Sequence, residues 1–140
     1  MKARTWTLTA ALGLLCLAGP AAAQLAPALE YVWGKNLEAF NKEDGAGVMA
    51  TIDTRSPDFG PTSAALDALF KDRDQKAQLL DFVLMGHDDE FAVARVKTRT
   101  TDKPGSGFTN NVVDAIVVFH QENGDWKLWS EQILGVQILP

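Results

Sequence analysis

Cysteine is nearly absent from this sequence. The one residue, Cys16, lies in an N-terminal apolar segment, so no disulfide can brace the chain beyond it. Nothing after residue 23 is long and apolar enough to cross a bilayer. Positive charge is scarce as well. Setting Lys2 and Arg4 aside, 11 basic residues face 18 acidic ones, a formal net charge of −7. A nucleic-acid or anionic-membrane surface needs a basic stripe, and only Arg95, Lys97 and Arg99 approach one. Motifs that carry chemistry are also missing. There is no Gly-x-Ser-x-Gly, no phosphate-cradling Gly-rich loop, no His-Glu-x-x-His and no Cys pair. No cofactor and no metal are expected.

Lys2 and Arg4 precede an apolar run, Leu8 to Ala18, followed by Pro20 and Ala21-Ala22-Ala23. This is the pattern of a secretory signal peptide, residues 1–23, cut before Gln24. Cys16 follows Gly13-Leu14-Leu15, without the small residue that a lipoprotein signal carries just before its cysteine. The expected mature domain, residues 24–140, is periplasmic or secreted. Its 117 residues suit one domain.

Leu29, Trp33, Leu37 and Phe40 recur at helical spacing, with Val32 and Asn36 beside them, and predict a helix from about Pro27 to Asn41. Tyr31 stands about 200° from Trp33 around that helix and faces outward. Val48, Met49 and Ile52 predict a short helical turn. Asp53 to Pro61 reads as a loop, because Ser56-Pro57 and Gly60-Pro61 interrupt a helix. Thr62 or Ser63 caps a third helix through about Asp72, with Leu66, Leu69 and Phe70 inward.

The rest is β. Strands are predicted over Gln78 to Met85, Phe91 to Thr100, Phe108 to His120 and a last one from Trp126. Asn123-Gly124 is a strong signal for a type I′ hairpin turn. An unbroken register from that turn places Phe119, Val117, Ala115 and Val113 with Trp126, Leu128, Ser130, Gln132 and Leu134 on one face. The other face holds His120, Val118, Ile116 and Asp114 with Lys127, Trp129, Glu131 and Ile133. Both faces are apolar enough to require a cover, and the chain is too short to supply both covers itself.

Three helices and a four-stranded meander, carrying the Trp33–Phe40 stripe, Phe91-Ala-Val-Ala-Arg95 and Gly124-Asp-Trp-Lys-Leu128, resemble the nuclear transport factor two-like superfamily. The likeness covers nearly all of residues 24–140 and is greatest to exported bacterial members, some called SnoaL-like. It implies an α+β cone, a curved antiparallel sheet wrapped around a long first helix. The superfamily includes ketosteroid isomerases, dehydratases and cyclases, along with members that only bind or only dimerise, so the likeness gives no activity. The isomerase set of an Asp base with Tyr and Asp donors has no counterpart. Tyr31 faces outward, Asp114 lies on the face opposite Trp126, and no Asp and His are brought together.

The expected ligand pocket is Trp33, Asn36, Asn111, Trp126, Ser130 and Gln132, with Leu128 among them: a mostly apolar lining with a few convergent polar groups. The expected interface is with a second copy, through Ile116, Val118 and Trp129 rimmed by Asp114, Glu131 and Arg95, an apolar centre in a polar border. His87, in the turn Gly86 to Glu90, and His120, near the hairpin tip, are both read as surface residues. The leading function is non-catalytic binding of a small, largely apolar molecule, or a small interaction domain. The alternative is acid–base chemistry on a small organic substrate inside the cone.

Overall fold

The computed structural model describes residues 20–140. The expected signal segment lies outside the described residues except for Pro20–Ala23. The elements are α1 (Pro20–Asn41), α2 (Gly45–Ala50), α3 (Phe59–Asp72), β1 (Lys76–His87), β2 (Phe91–Thr101), β3 (Asn111–Glu122) and β4 (Asp125–Ile138). The strands form one antiparallel sheet in the order β1-β2-β3-β4. The expected α+β cone is the fold found. The α1 backbone lies close to β1 and β4, the two sheet edges, and meets the central strands through side chains. That arrangement is a curved sheet closing around a helix.

Two helices begin earlier than expected. Helix α1 starts at Pro20, with Pro27 inside it. Pro27 removes only the hydrogen bond to the Ala23 carbonyl, and both residues are exposed, so water can serve that carbonyl. The surrounding alanines and leucines are strong helix formers. Helix α3 starts at Phe59, with Asp58 rather than Thr62 or Ser63 at its N-cap. Pro61 falls in the first turn, where its missing N–H would have had no partner anyway.

The core follows the apolar stripe. Leu29, Trp33 and Leu37 of α1 are buried against Ala92, Ala94 and Val96 of β2 and Ala115, Val117 and Phe119 of β3. Alanine at three inner positions leaves room for the helix side chains. Fully burying residues such as Leu29, Val117 and Phe119 contributes roughly 1.5–3 kcal/mol each. Phe40 meets Phe70 edge-on at 5.7 Å and ties α1 to α3. Tyr31 is exposed, as its angular position requires.

The hairpin turn is as expected, with φ of 53° at Asn123 and 87° at Gly124. The pairs Glu122/Asp125, Gln121/Trp126, His120/Lys127 and Phe119/Leu128 form the predicted register. The unbroken register ends there. Val118 pairs with Ser130, which leaves Trp129 as the extra residue of a β-bulge. Beyond it the two faces of β4 exchange. Glu131 stands opposite Val117, on the inner face, while Ser130 and Gln132 stand opposite Val118 and Ile116. A second shift, at Leu134, leads to Asp114 opposite Gly135.

Candidate functional site

The three helices do not fill the cone. A cavity of about 300 Å³ remains between α1, α2, α3 and the bulged part of β4. Trp33, Phe40, Val48, Ile52, Leu66 and Leu128 supply its apolar wall, and Asn36, Asp58, Thr62, Ser130 and Glu131 its polar groups. This is at the small end of the range for small-molecule sites, with their usual mixture of apolar wall and few polar groups. Asn36 Nδ2 donates to Thr51 Oγ1 at 2.8 Å, and that hydroxyl donates to Val48 O at 2.7 Å. The chain of bonds fixes the amide beside the cavity.

Glu131 reaches this cavity because of the bulge. Its side chain keeps access to water at the mouth. The protein packed around it nevertheless raises its carboxyl above the ordinary glutamate range through burial, and the charge of Asp58 adds to the rise. Asp58 stands at the N-cap of α3 without a side-chain capping bond.

Beside the cavity lies a second group of polar residues. The segment after α2 docks on β4 through Leu128 N to Thr51 O and Asp53 N to Leu128 O, both 2.8 Å. Asp53 is thereby fully buried, with Oδ2 at 2.6 Å from His120 Nδ1. Its Oδ1 accepts from Arg55 N at 2.8 Å and from Arg55 Nε at 3.4 Å. Burial works to raise the Asp53 pKa, but the hydrogen bonds from His120 and Arg55 outweigh it and hold the carboxyl below its ordinary value. His120 is buried too, its ring packed against Phe91 at 4.6 Å and Trp129 at 5.0 Å, with those two rings also in contact at 5.8 Å. Its Nε2 lies 3.3 Å from Glu90 Oε1.

This corrects the sequence reading on two points. His120 is not a surface residue, and an Asp and a His are brought together. The loop carrying Asp53 folds across the hairpin tip and covers a position that strand alternation alone leaves facing outward. Neither Asp53 nor His120 lines the cavity, whereas Trp129 touches His120 and also lines the cavity. Trp129 thus contacts both the pair and the cavity.

Of the residues assigned to the pocket, Trp33, Asn36 and Ser130 line the cavity and Asn111, Trp126 and Gln132 do not. Asn111 pairs with Ile138 at the far end of the ladder, with Nδ2 donating to Thr109 O. Trp126 packs half-buried against the core near the turn. Gln132 is exposed opposite Ile116, because the bulge turned it over. Of the residues assigned to the interface, Trp129 and Glu131 line the cavity for the same reason. Ile116, Val118, Asp114 and Arg95 remain on the outer face. There Arg95 donates to both Asp114 oxygens, at 2.8 and 2.6 Å. His87 is exposed, and among the described residues no three His, Cys, Asp or Glu side chains could together hold a metal. No described helix is long and apolar enough to cross a membrane.

Asp53, Arg55 and Asp58 escaped the sequence reading, which treated Asp53 to Pro61 as plain loop. An acidic residue just before a helix was the one available signal, and it pointed to Asp58 only.

Several solved structures share the fold at low identity. A protein of unknown function from Mycobacterium tuberculosis superposes with a TM-score of 0.69 at 13% identity, over 82% of this chain and 75% of that one. A cystatin-like protein of unknown function from Nostoc punctiforme gives 0.64 at 13% identity, over 86% and 93%. A ketosteroid isomerase-like protein from Erwinia carotovora atroseptica gives 0.58 at 16% identity, over 79% and 96%. No curated protein sequence matches significantly. The family model described as the C-terminal domain of anti-sigma-I factor RsgI9 matches residues 31–139.

Proposed function

The chain belongs to the family of the C-terminal domain of anti-sigma-I factor RsgI9, and from that premise we propose that it is an exported binding domain that holds a small, largely apolar molecule in its cone without transforming it. The observation that carries this reading is the 300 Å³ cavity, walled by Trp33, Phe40, Ile52, Leu66, Leu128 and Trp129. A family named for part of a regulator accords with binding rather than turnover. Export rests on the pattern of residues 1–23.

One observation favours a second reading, acid–base turnover. Glu131 is a cavity group whose pKa burial raises, as a general acid requires. It is the weaker reading because Glu131 stands at the open mouth and the Asp53–His120 pair lies outside the cavity.

The binding reading includes a homodimer through the outer sheet face. Val83, Val93, Ile116 and Val118 lie there beside the Arg95–Asp114 ion pair, and each is at least partly open to water. Trp129 and Glu131 no longer belong to that surface.

Native mass spectrometry of the protein purified from its own host tests both parts. The expected result is a dimer carrying extra mass, with the adduct lost when Leu66→Trp fills the cavity. Bare protein in repeated preparations, with no change in tryptophan fluorescence on adding small apolar probes, would overturn the binding reading.

A further inference from the structure

Both ionisable side chains that line the cavity, Asp58 and Glu131, are carboxylates, and no Lys, Arg or His lines it. The two cations nearest in sequence are engaged elsewhere. Arg55 is held by Asp53, and Lys127 Nζ donates to Ala50 O at 2.5 Å. Among the described residues, neither the Asp58 nor the Glu131 carboxylate accepts a hydrogen bond or pairs with a cation. The burial and like charge that raise Glu131 are what an added positive charge would relieve.

The cavity itself is a separate observation, and it points the same way. Trp33, Phe40 and Trp129 line it, and aromatic faces attract organic cations as well as apolar groups. An anionic ligand would meet two carboxylates and no counter-charge. A neutral one would leave the two like charges at the mouth offset by water alone, since both side chains are exposed.

From the cavity, its aromatic wall and its two unpaired carboxylates, we propose that the ligand is an organic amine or ammonium ion with an apolar body. The body occupies the space beside Trp33 and Trp129, and the charged nitrogen sits toward Asp58 and Glu131. This inference rests on the binding reading above and narrows it to one ligand class.

Calorimetric titration of the full-length protein with three probes on one skeleton tests it: phenylbutylamine, phenylbutanol and phenylbutyrate at neutral pH. The amine binds roughly tenfold or more tightly than the alcohol, about 1.4 kcal/mol, and the carboxylate binds most weakly. The amine-to-alcohol ratio falls to near one in the Asp58→Asn, Glu131→Gln double variant. Alcohol binding as tight as amine binding overturns the cation inference and leaves the cavity reading standing. Binding of none of the three overturns both.

Discussion

His120 Nδ1 stands 2.6 Å from Asp53 Oδ2, inside the protein, between residues 67 positions apart in sequence. The contact fastens the loop between α2 and α3 to the hairpin tip. Ser56 supports it by donating its hydroxyl to Trp129 O at 2.5 Å, and Thr54 by its hydroxyl bond to Glu122. The same loop leads to Asp58 and α3, which wall the cavity, so the pair holds the cavity in shape without entering it.

Asp53→Ala leaves His120 and Arg55 facing a buried gap and is expected to cost about 3–5 kcal/mol. Asp53→Asn, which keeps the shape and can still hydrogen-bond, is expected to cost about 1–3 kcal/mol. Because the folded protein lowers the Asp53 pKa, its contribution is present above the ordinary aspartate value of 3.8 and is lost as pH falls from there through the lowered value. Urea denaturation of the native protein and the Asn variant across acidic pH checks this. Parallel curves for the two would contradict it.

Glu131 has the opposite sign. Its raised pKa favours the folded state at acidic pH, fully below the ordinary glutamate value, and that advantage is lost as pH rises through the folded value. Glu131→Gln is therefore expected to stabilise the protein at neutral pH, by less than about 1 kcal/mol because water reaches the side chain. Thermal melts at neutral and acidic pH should show the gain shrinking toward acid.

If the proposed dimer forms through the outer face, Ile116→Glu, in the middle of that face, is expected to give a folded monomer. Trp129→Glu is expected instead to weaken the fold, because the ring packs on His120 and Phe91 within the protein. Light scattering with circular dichroism separates the two results. An Ile116→Glu dimer of unchanged mass would remove the proposed interface.

Gly47 has no room for a side chain. A Cβ there would lie 2.4 Å from Asp44 Oδ2 and 2.9 Å from Ala39 Cβ, and Asp44 Oδ1 caps α2 by accepting from Gly47 N at 2.9 Å. Gly47→Ala should displace the cap and cost about 1–3 kcal/mol in chemical denaturation. An unchanged midpoint would show that α1 and α2 can part without penalty.

What the sequence determined by itself was whatever depends on neighbours along the chain. The stripe from Leu29 to Phe40 made α1 amphipathic, and Asn123-Gly124 set the turn. Together these marked three helices and a four-stranded meander, whose family resemblance implied the α+β cone, and the stripe turned Trp33 and Asn36 toward the sheet. The tertiary structure decided the rest, because it depends on contacts that no local period encodes. Whether β4 continues its alternation past Leu128 is settled by the loop that docks on it: Ser56 binds the Trp129 carbonyl, and the indole packs against His120. That one extra residue moved Glu131 to the cavity and Gln132 to the outside. The burial of His120 was equally hidden, since its partner Asp53 arrives from a loop whose residues, read alone, mark only a break between helices.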